Sequence, residues 1–427
     1  MPTSSSSSLA QSGLADVIAL QPAFEPERIA VHVSRNAERA VRRGELWVFQ
    51  EAVLRTRGEA RAGDIAVLYD AKDKPFALGL WDPNSPLRIR VLSPTLGVQI
   101  DDAWVEAAVQ RAVEARLAHF DAKETNGYRL LHGPGDGMPG MVVDRYANTC
   151  VIKIYSEAWL AWLPVVARTL AQYEGFSCGI LRLNRQLQAR TKRLAPYREG
   201  LLLWGSEEAL TSQFRENGLR FEVDPRLGQK TGFFLDQREN RARVEAIAAG
   251  QDTLNVFCYT GGFSLYAARG GAPRVVSVDA SQPAMDALAR NVQLNKNDAS
   301  VARARFDNRC VDAFVALEEL AKTHRRFGLV IIDPPSFAKR NDEVETALSA
   351  YRRLARMAVP LVKEGGTLVF ASCSSRIDEA QLEAALLEGA ADAKRSLNIY
   401  ERVGHPFDHP IARGELQYLK TLYACIA

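Results

Sequence analysis

Hydrophobic positions in the second half of the chain fall into short continuous runs separated by amphipathic stretches. The runs at 254–257, 274–279, 329–332 and 367–371 predict buried strands. Between them, 237–249, 263–269, 283–295 and 343–362 carry apolar residues at helical spacing. Strand alternating with helix predicts a parallel sheet covered by helices, a doubly wound (Rossmann-like) α/β domain.

The first half has a different texture. Strands are predicted at 66–69, 77–81 and 87–91, with turn chemistry at Gly63-Asp64 and Asp82-Pro83-Asn84-Ser85 between them. A helix follows over 101–120, capped by Asp101 or Asp102, with Val105, Ala108, Val109, Ala112 and Leu117 at helical spacing. A turn-rich stretch from His132 to Gly140 leads to predicted strands 141–144 and 150–155 and a helix over 159–173. The predicted organisation is a disordered leader over 1–27, a small β-rich domain over 28–95, an α+β central module over 96–220 and the α/β domain over 221–427. The leader contains Ser4 to Ser8 in a row and no Lys or Arg before Arg28, so it lacks the basic start of a signal peptide.

Candidate chemistry sits where the predicted strands end. In an open parallel sheet, ligands bind at the carboxyl ends of the strands. Asp333-Pro334-Pro335-Ser336-Phe337 and Ser372-Cys373-Ser374 each follow an apolar run, which brings a carboxylate and a thiol toward one pocket. Asn255 to Gly262 reads as strand, loop and helix start. Its glycines allow close backbone approach, and a helix N-terminus offers free N–H groups to an anion. Asp279 ends the next strand, about 20 residues on, where a ribose-binding carboxylate belongs. Without a full GxGxxG, the loop suits a ligand with one carboxylate and a ribose, the shape of S-adenosyl-L-methionine. Asp312 could accept from an adenine amine or cap the helix that follows it.

Composition adds exclusions. With 47% hydrophobic and 25% charged residues, the chain is an ordinary folded protein with material for two or three cores. A net charge of +3 does not announce nucleic-acid binding, so local clusters decide. Arg182, Arg185, Arg190, Lys192, Arg193 and Arg198 form one, without an acidic residue between 182 and 198; Arg28, Arg35, Arg39, Arg42 and Arg43 form another. Both are expected to meet phosphates. Six cysteines are scattered, none in a CxxC, which argues against a disulfide framework or structural zinc and for a reducing cytoplasm. His405 and His409 flank Pro406, and no metal is expected there. No segment is apolar enough to span a membrane.

Four blocks in order carry a family resemblance: Thr231-Gly232-Phe233-Phe234-Leu235-Asp236-Gln237-Arg238-Glu239-Asn240-Arg241, Asn255 to Phe263, Asp333 to Phe337, and Ser372-Cys373-Ser374. They resemble the RlmI-like class of S-adenosylmethionine-dependent large-subunit rRNA methyltransferases. Gly44 to Phe49 with the strands to Val91 is similar to that family's N-terminal PUA domain, and His132 to Tyr146 resembles its central module. The resemblance covers about residues 28–427. It implies a cofactor pocket drawing on Thr231, Phe233, Asp236, Arg238, Asn255, Phe257, Tyr259, Gly261, Asp279, Asp312 and Asp333, with catalysis by Cys373 and Asp333.

Carbon 5 of cytosine is a poor nucleophile. A thiolate that adds to carbon 6 builds electron density at carbon 5, which then takes the methyl group. Cys373 is the expected nucleophile; its alternative is an inert buried residue. Cys258, in the cofactor loop, is read as packing. Ser336 stands where many RNA cytosine-5 enzymes have a second cysteine, so the base that removes the carbon-5 proton is unassigned. The expected activity is methylation of a cytosine in large-subunit rRNA, naked or partly assembled. The alternatives are methylation of an exocyclic amine such as guanine N2, which needs no thiol, and a non-catalytic RNA-binding assembly factor. A homodimer is left open.

Overall fold

A computed structural model describes residues 25–338, 340–412, 415 and 417–426 of the chain. The predicted leader lies outside the described residues except for its last three. The described residues divide into two compact units. The first is drawn from described residues within 25–218, 223–235 and 407–415, the second from those within 219–222, 236–406 and 417–426.

The first unit holds two sheets. One has six strands: β1 (Arg28–Val33), β2 (Trp47–Phe49), β3 (Val53–Arg57), β4 (Ile65–Tyr69), β5 (Pro75–Trp81) and β6 (Leu87–Ser93), in the order β2-β6-β5-β4-β1-β3. Only β1 and β4 run parallel. Its core is Ile29, Val31, Val33, Ala66, Leu68, Phe76, Trp81, Ile89 and Val91. The predicted strands fall on β4, β5 and β6; β2 is too short and β3 too polar for a pattern to stand out, while β1, with Ile29, Val31 and Val33 buried, is missed. The basic cluster around Arg39 lies partly on a helix, Arg35–Arg42, where Arg35, Arg39 and Arg42 are exposed.

The other sheet has the order β11-β10-β9-β8-β7, from β7 (Gly127–His132), β8 (Met141–Tyr146), β9 (Thr149–Ile154), β10 (Cys178–Leu183) and β11 (Leu201–Trp204). Helix Asp102–His119 covers it; Asp101 accepts from the Trp104 amide at 2.9 Å, and Val105, Ala108, Val109, Ala112 and Val113 are buried. The predicted 159–173 helix divides into a 3-10 turn, Glu157–Leu160, and helix Leu163–Ala171. Pro164 explains the new start, since proline fits the first turn, where its missing N–H costs nothing. Strand β12 (Gln213–Glu216) also belongs to this unit.

The second unit opens with β13 (Leu219–Glu222) and is built on seven strands. These are β14 (Thr253–Val256), β15 (Arg274–Asp279), β16 (Arg305–Cys310), β17 (Phe327–Ile332), β18 (Val362–Ser372), β19 (Leu397–Val403) and β20 (Lys420–Ile426). Their order is β16-β15-β14-β17-β18-β20-β19, parallel from β16 to β18, with β20 antiparallel to both neighbours. Strand alternation sends the two faces to different helices. Leu254, Val256, Val276, Val278, Val330, Ile332, Leu368 and Phe370 join one core with Leu317, Tyr351, Leu354 and Leu386 from helices Ala313–Lys322, Val344–Ala358 and Glu379–Asp392. Asn255 and Ser277 point the other way, toward Ser264 of helix Gly262–Arg269. The domain is thus doubly wound, as the alternation predicts.

One boundary differs. The helix predicted over 343–362 ends at Ala358, and Val362 already opens β18. Pro360 lies between them in a 3-10 turn, Val359–Leu361. It has no N–H to continue the helix, and its ring clashes with the preceding turn.

Candidate active site

In the parallel part of the sheet the strand order reverses between β14 and β17, and the loops beyond the strand ends there carry most of the predicted site. The loop after β14 is backbone-strained. Phe257 (φ 64°), Tyr259 (φ 48°) and Gly261 (φ 83°) all adopt left-handed conformations within five residues. Such geometry costs of order 1–3 kcal/mol per non-glycine residue and persists where the surroundings dictate it. The surroundings here include Asp279 at the end of β15. Its carboxylate accepts the Tyr259 amide and the Ser281 amide, each at 2.9 Å. Gly261 cannot be replaced freely: a Cβ there would lie 2.5 Å from Leu288 Cγ. Gly261 caps helix Gly262–Arg269 without a side-chain hydrogen bond, so no side chain of its own closes the helix start to an anion.

Asn255 is buried, and its amide donates to Ser264 Oγ at 2.9 Å, with Ser264 and Ser277 hydroxyls 2.8 Å apart. This chain ties β14 and β15 to the helix above them. Asn255 Oδ1 finds no hydrogen-bond partner among the described residues. Phe257 packs partly into the sheet core. Asp312 is exposed and caps helix Ala313–Lys322 through the Phe314 and Val315 amides at 2.9 and 3.3 Å, the alternative role the sequence offered. Asp236 is buried and accepts from the Tyr418 hydroxyl at 3.0 Å. Arg238, buried at the start of helix Arg238–Ile247, lies 3.6 Å from Glu239.

Thr231 and Phe233 belong to the first unit and are engaged there. Thr231 Oγ1 donates to Asp144 at 2.5 Å and lies 3.0 Å from the Tyr146 hydroxyl, which accepts the Phe233 amide at 3.0 Å. Asp144, fully buried, takes both ends of the Arg129 guanidinium at 2.7 and 2.9 Å.

Beyond β17 and β18 the two motifs meet. Ile332 pairs with Phe370 in register, and the Cys373 sulfur lies 3.9 Å from the Pro334 carbonyl oxygen. The flanking serines are fully buried and anchored. Ser372 accepts from the Tyr351 hydroxyl at 2.9 Å and from the Ser374 amide at 3.3 Å; Ser374 Oγ donates to the Ala338 carbonyl at 2.9 Å. Ser336 Oγ donates to the same carbonyl at 3.0 Å. Burial pushes the Tyr351 phenol up, which keeps it a donor. Cys373, between two anchored residues, is only half-buried. Cys258 is the opposite case: buried, 3.7 Å from Met285 sulfur, its thiol pushed well up by burial and then by the Asp279 charge.

Sequence reasoning missed Lys420. It opens β20 opposite Ser372 and is buried. Its ammonium donates to the carbonyls of Ser374 (2.5 Å), Ile377 and Gln417 (3.1 Å). Burial pulls it down to about 8, opposed by Cys373, Asp378 and Glu379 in that order. A lysine before an apolar run reads as a solvated strand end, so nothing marked it.

The basic cluster at 182–198 is less free than its sequence suggests. Arg182 is buried, paired with Glu199 and bonded to the Pro225 and Gly228 carbonyls; Arg190 and Arg193 both reach Glu157. The acidic partners lie outside the window in sequence, which is why it looked unbalanced. His409 is buried against Asp408, 4.9 Å ring to ring from His132. Among the described residues no group of three or more His, Cys, Asp or Glu could hold a metal ion, and no helix is long and apolar enough to cross a membrane.

This topology, with a carboxylate bracing the first loop and Asp-Pro-Pro ending the fourth strand, defines a methyltransferase that uses S-adenosylmethionine. Residues 128–422 match the family described as S-adenosylmethionine-dependent methyltransferase, residues 31–94 match a PUA-like domain, and the chain belongs to that methyltransferase family. A Deinococcus radiodurans protein named ribosomal RNA large subunit methyltransferase is 40% identical over 94% of this chain and 98% of its own. Ribosomal RNA large subunit methyltransferase I of Pseudoalteromonas translucida is 34% identical over 92% and 98%. The fold is shared with a Streptococcus mutans structure assigned to the same methyltransferases, at 23% identity and TM-score 0.77, covering 93% of this chain and 99% of that one. A structure at the same TM-score, coverage and identity was solved with SAH. The cofactor is S-adenosylmethionine, and the strained loop, the helix start at Gly262 and the Asp279 carboxylate fit a ligand with one carboxylate and a ribose.

Proposed function

We propose that the chain methylates carbon 5 of a cytosine in large-subunit rRNA, with Cys373 as the nucleophile. The observation that carries this is the half-buried Cys373 thiol, held against the Pro334 carbonyl by two anchored serines on the strand next to Asp333. An exocyclic-amine methyltransferase has no use for a thiol there. The names of the relatives support rRNA as substrate, and the exposed arginines of helix Arg35–Arg42 suit phosphate contact. Free thiols throughout suit a reducing cytoplasm.

Cys373 as thiolate forms a bond to carbon 6 of the flipped-out base, and its electron pair moves into the ring toward carbon 5. The bound cofactor supplies the methyl group that carbon 5 takes up, its sulfur keeping the electrons of the broken S–CH3 bond. Removal of the carbon-5 proton then expels the Cys373 thiolate and restores the ring. Asp333 accepts a hydrogen bond from the cytosine edge, and the Pro334 carbonyl fixes the thiol's approach. In the second unit, the proposed cofactor-binding residues are Asp236, Arg238, Asn255, Phe257, Tyr259, Gly261, Asp279, Asp312 and Asp333. Thr231 and Phe233, also proposed as cofactor-binding, lie in the first unit, where they bond to Asp144 and Tyr146.

The test is methyl transfer to large-subunit rRNA by the wild type and by Cys373→Ala, with cofactor binding measured by calorimetry. Loss of transfer with unchanged cofactor affinity supports the proposal. Full activity in Cys373→Ala, or a methylated amine in the product digest, overturns it.

A further inference from the structure

We infer that Lys420 is a positioning residue for Cys373: its buried ammonium clamps the turn that carries the thiol and supplies the positive charge that favours the thiolate. This deepens the proposed function and rests on Cys373 being its nucleophile.

The geometry is specific. An ammonium has three N–H groups, and Lys420 gives them to the Ser374, Ile377 and Gln417 carbonyls. Ser374 directly follows Cys373, and Ile377 closes the same turn before Asp378, the cap of helix Glu379–Asp392. Lys420 therefore grips the chain on the C-terminal side of the thiol while β18, paired through Ser372 to Lys420 itself, holds the N-terminal side. A turn needs only a hydroxyl or amide to satisfy such carbonyls. Burying a cation for the task is costly, and a cation next to a nucleophilic thiol repays that cost by stabilising its charged form. Consistent with this, Cys373 is the strongest of the groups that hold the proton on Lys420. That attraction is mutual.

Other charged groups near the thiol's turn, among the described residues, are mostly acidic. Asp333 ends β17, Tyr351 faces Ser372 from helix Val344–Ala358, and Asp378 and Glu379 begin the next helix. All are acids. The N-terminus of helix Glu379–Asp392 adds a partial positive charge, and Asp378 already caps it. Lys420 has no free N–H, so it is not the base that takes the carbon-5 proton.

The experiment reads the thiol directly on the full-length chain. Iodoacetamide labelling of Cys373 is followed by peptide mass spectrometry from pH 6 to 10, in the wild type, Lys420→Met, Lys420→Gln and Lys420→Arg. Exposed Cys310 is the internal rate standard, and buried Cys258 reports on the fold of the same unit. The expected result is that, at pH 7.5, Met and Gln slow Cys373 labelling about tenfold relative to Cys310, with the rates converging at pH 10, whereas Arg stays near the wild type. Cys258 should stay unlabelled. Should Lys420→Met expose Cys258, Gln, which keeps an N–H donor and drops the charge, gives the answer. A Cys373 profile identical to wild type in a folded Met or Gln variant overturns the inference. Full methylation activity in Cys373→Ala is a separate result: it removes the nucleophile and leaves the labelling profile standing.

Discussion

The Cys373 sulfur and the Pro334 carbonyl oxygen lie 3.9 Å apart, which joins the ends of two neighbouring parallel strands at one point. A thiol hydrogen is a weak donor, so the contact orients the sulfur more than it holds it. In the proposed mechanism Cys373 thereby approaches the base from the Asp-Pro-Pro side, where Asp333 begins the turn.

That approach predicts a covalent intermediate that can be trapped. Fluorine in place of the carbon-5 hydrogen leaves nothing for a base to remove, so the sulfur cannot depart after methyl transfer. RNA containing 5-fluorocytidine should give a denaturation-resistant adduct with the wild type, mapped to Cys373 by peptide sequencing. Cys373→Ala should give none. Turnover on this RNA without an adduct would point to an amine as the acceptor.

Asp279 braces the loop after β14 through two backbone amides, both 2.9 Å from its oxygens. Asp279→Asn keeps one acceptor and turns the other into a donor facing an N–H. A hydrogen bond to a charged group contributes about 1.5–3 kcal/mol, so calorimetry should show cofactor affinity at least about tenfold weaker. An unchanged dissociation constant would mean the loop holds its shape without this carboxylate.

Gly261→Ala meets two obstacles, a φ of 83° and a Cβ 2.5 Å from Leu288 Cγ. The backbone penalty alone is about 1 kcal/mol or more. Lower stability in urea and weaker cofactor binding should appear together. Trimming Leu288 as well should relieve the clash and leave the backbone strain, so a complete rescue by Leu288→Ala would assign the whole effect to side-chain contact.

The sheet was legible in the sequence because its central strands are buried on both faces. Four apolar runs between helical stretches give β14, β15, β17 and β18 and hence the doubly wound fold. Strand β16 was not legible: as an edge strand it reads Arg-Phe-Asp-Asn-Arg-Cys, with no buried position. In the candidate site, Cys373 and Asp333 stood out by following apolar runs. Lys420 and Tyr351 did not, since their roles come from partners far along the chain, 46 and 21 residues away at Ser374 and Ser372. The Arg182 cluster misled for the same reason, its counter-charges lying outside the window.

In the first unit, Asp144 is fully buried and satisfied by the two Arg129 bonds and the Thr231 hydroxyl. Removing one partner of a buried pair strands the other, at about 3–5 kcal/mol. Asp144→Asn should lower the unfolding free energy of the full chain, read from urea titration, by that order. Replacing both residues with apolar groups, Asp144→Leu with Arg129→Met, should cost less than the single change. If the single change is silent, Arg129 has found another counter-charge.

Lys420 gives stability a pH dependence opposite in sense to that of a favourably paired lysine. Its folded value of about 8 lies below the ordinary 10.5, so between these limits the unfolded chain binds more protons than the native one. Stability rises with pH wherever that is so. The cost of burying the charge is fully present below about pH 8 and is relieved as pH climbs toward 10.5. Other groups titrate in this range, including tyrosines, so the informative quantity is wild type minus Lys420→Met, in which they cancel except for Cys373, whose thiolate, if Lys420 favours it, moves the difference in the same direction. Urea unfolding at intervals from about pH 7 to pH 9.5 should show this difference flat at first and then moving in favour of the wild type. A difference that moves the other way would mean that the carbonyls of Ser374, Ile377 and Gln417 hold the ammonium more strongly than its burial penalises it.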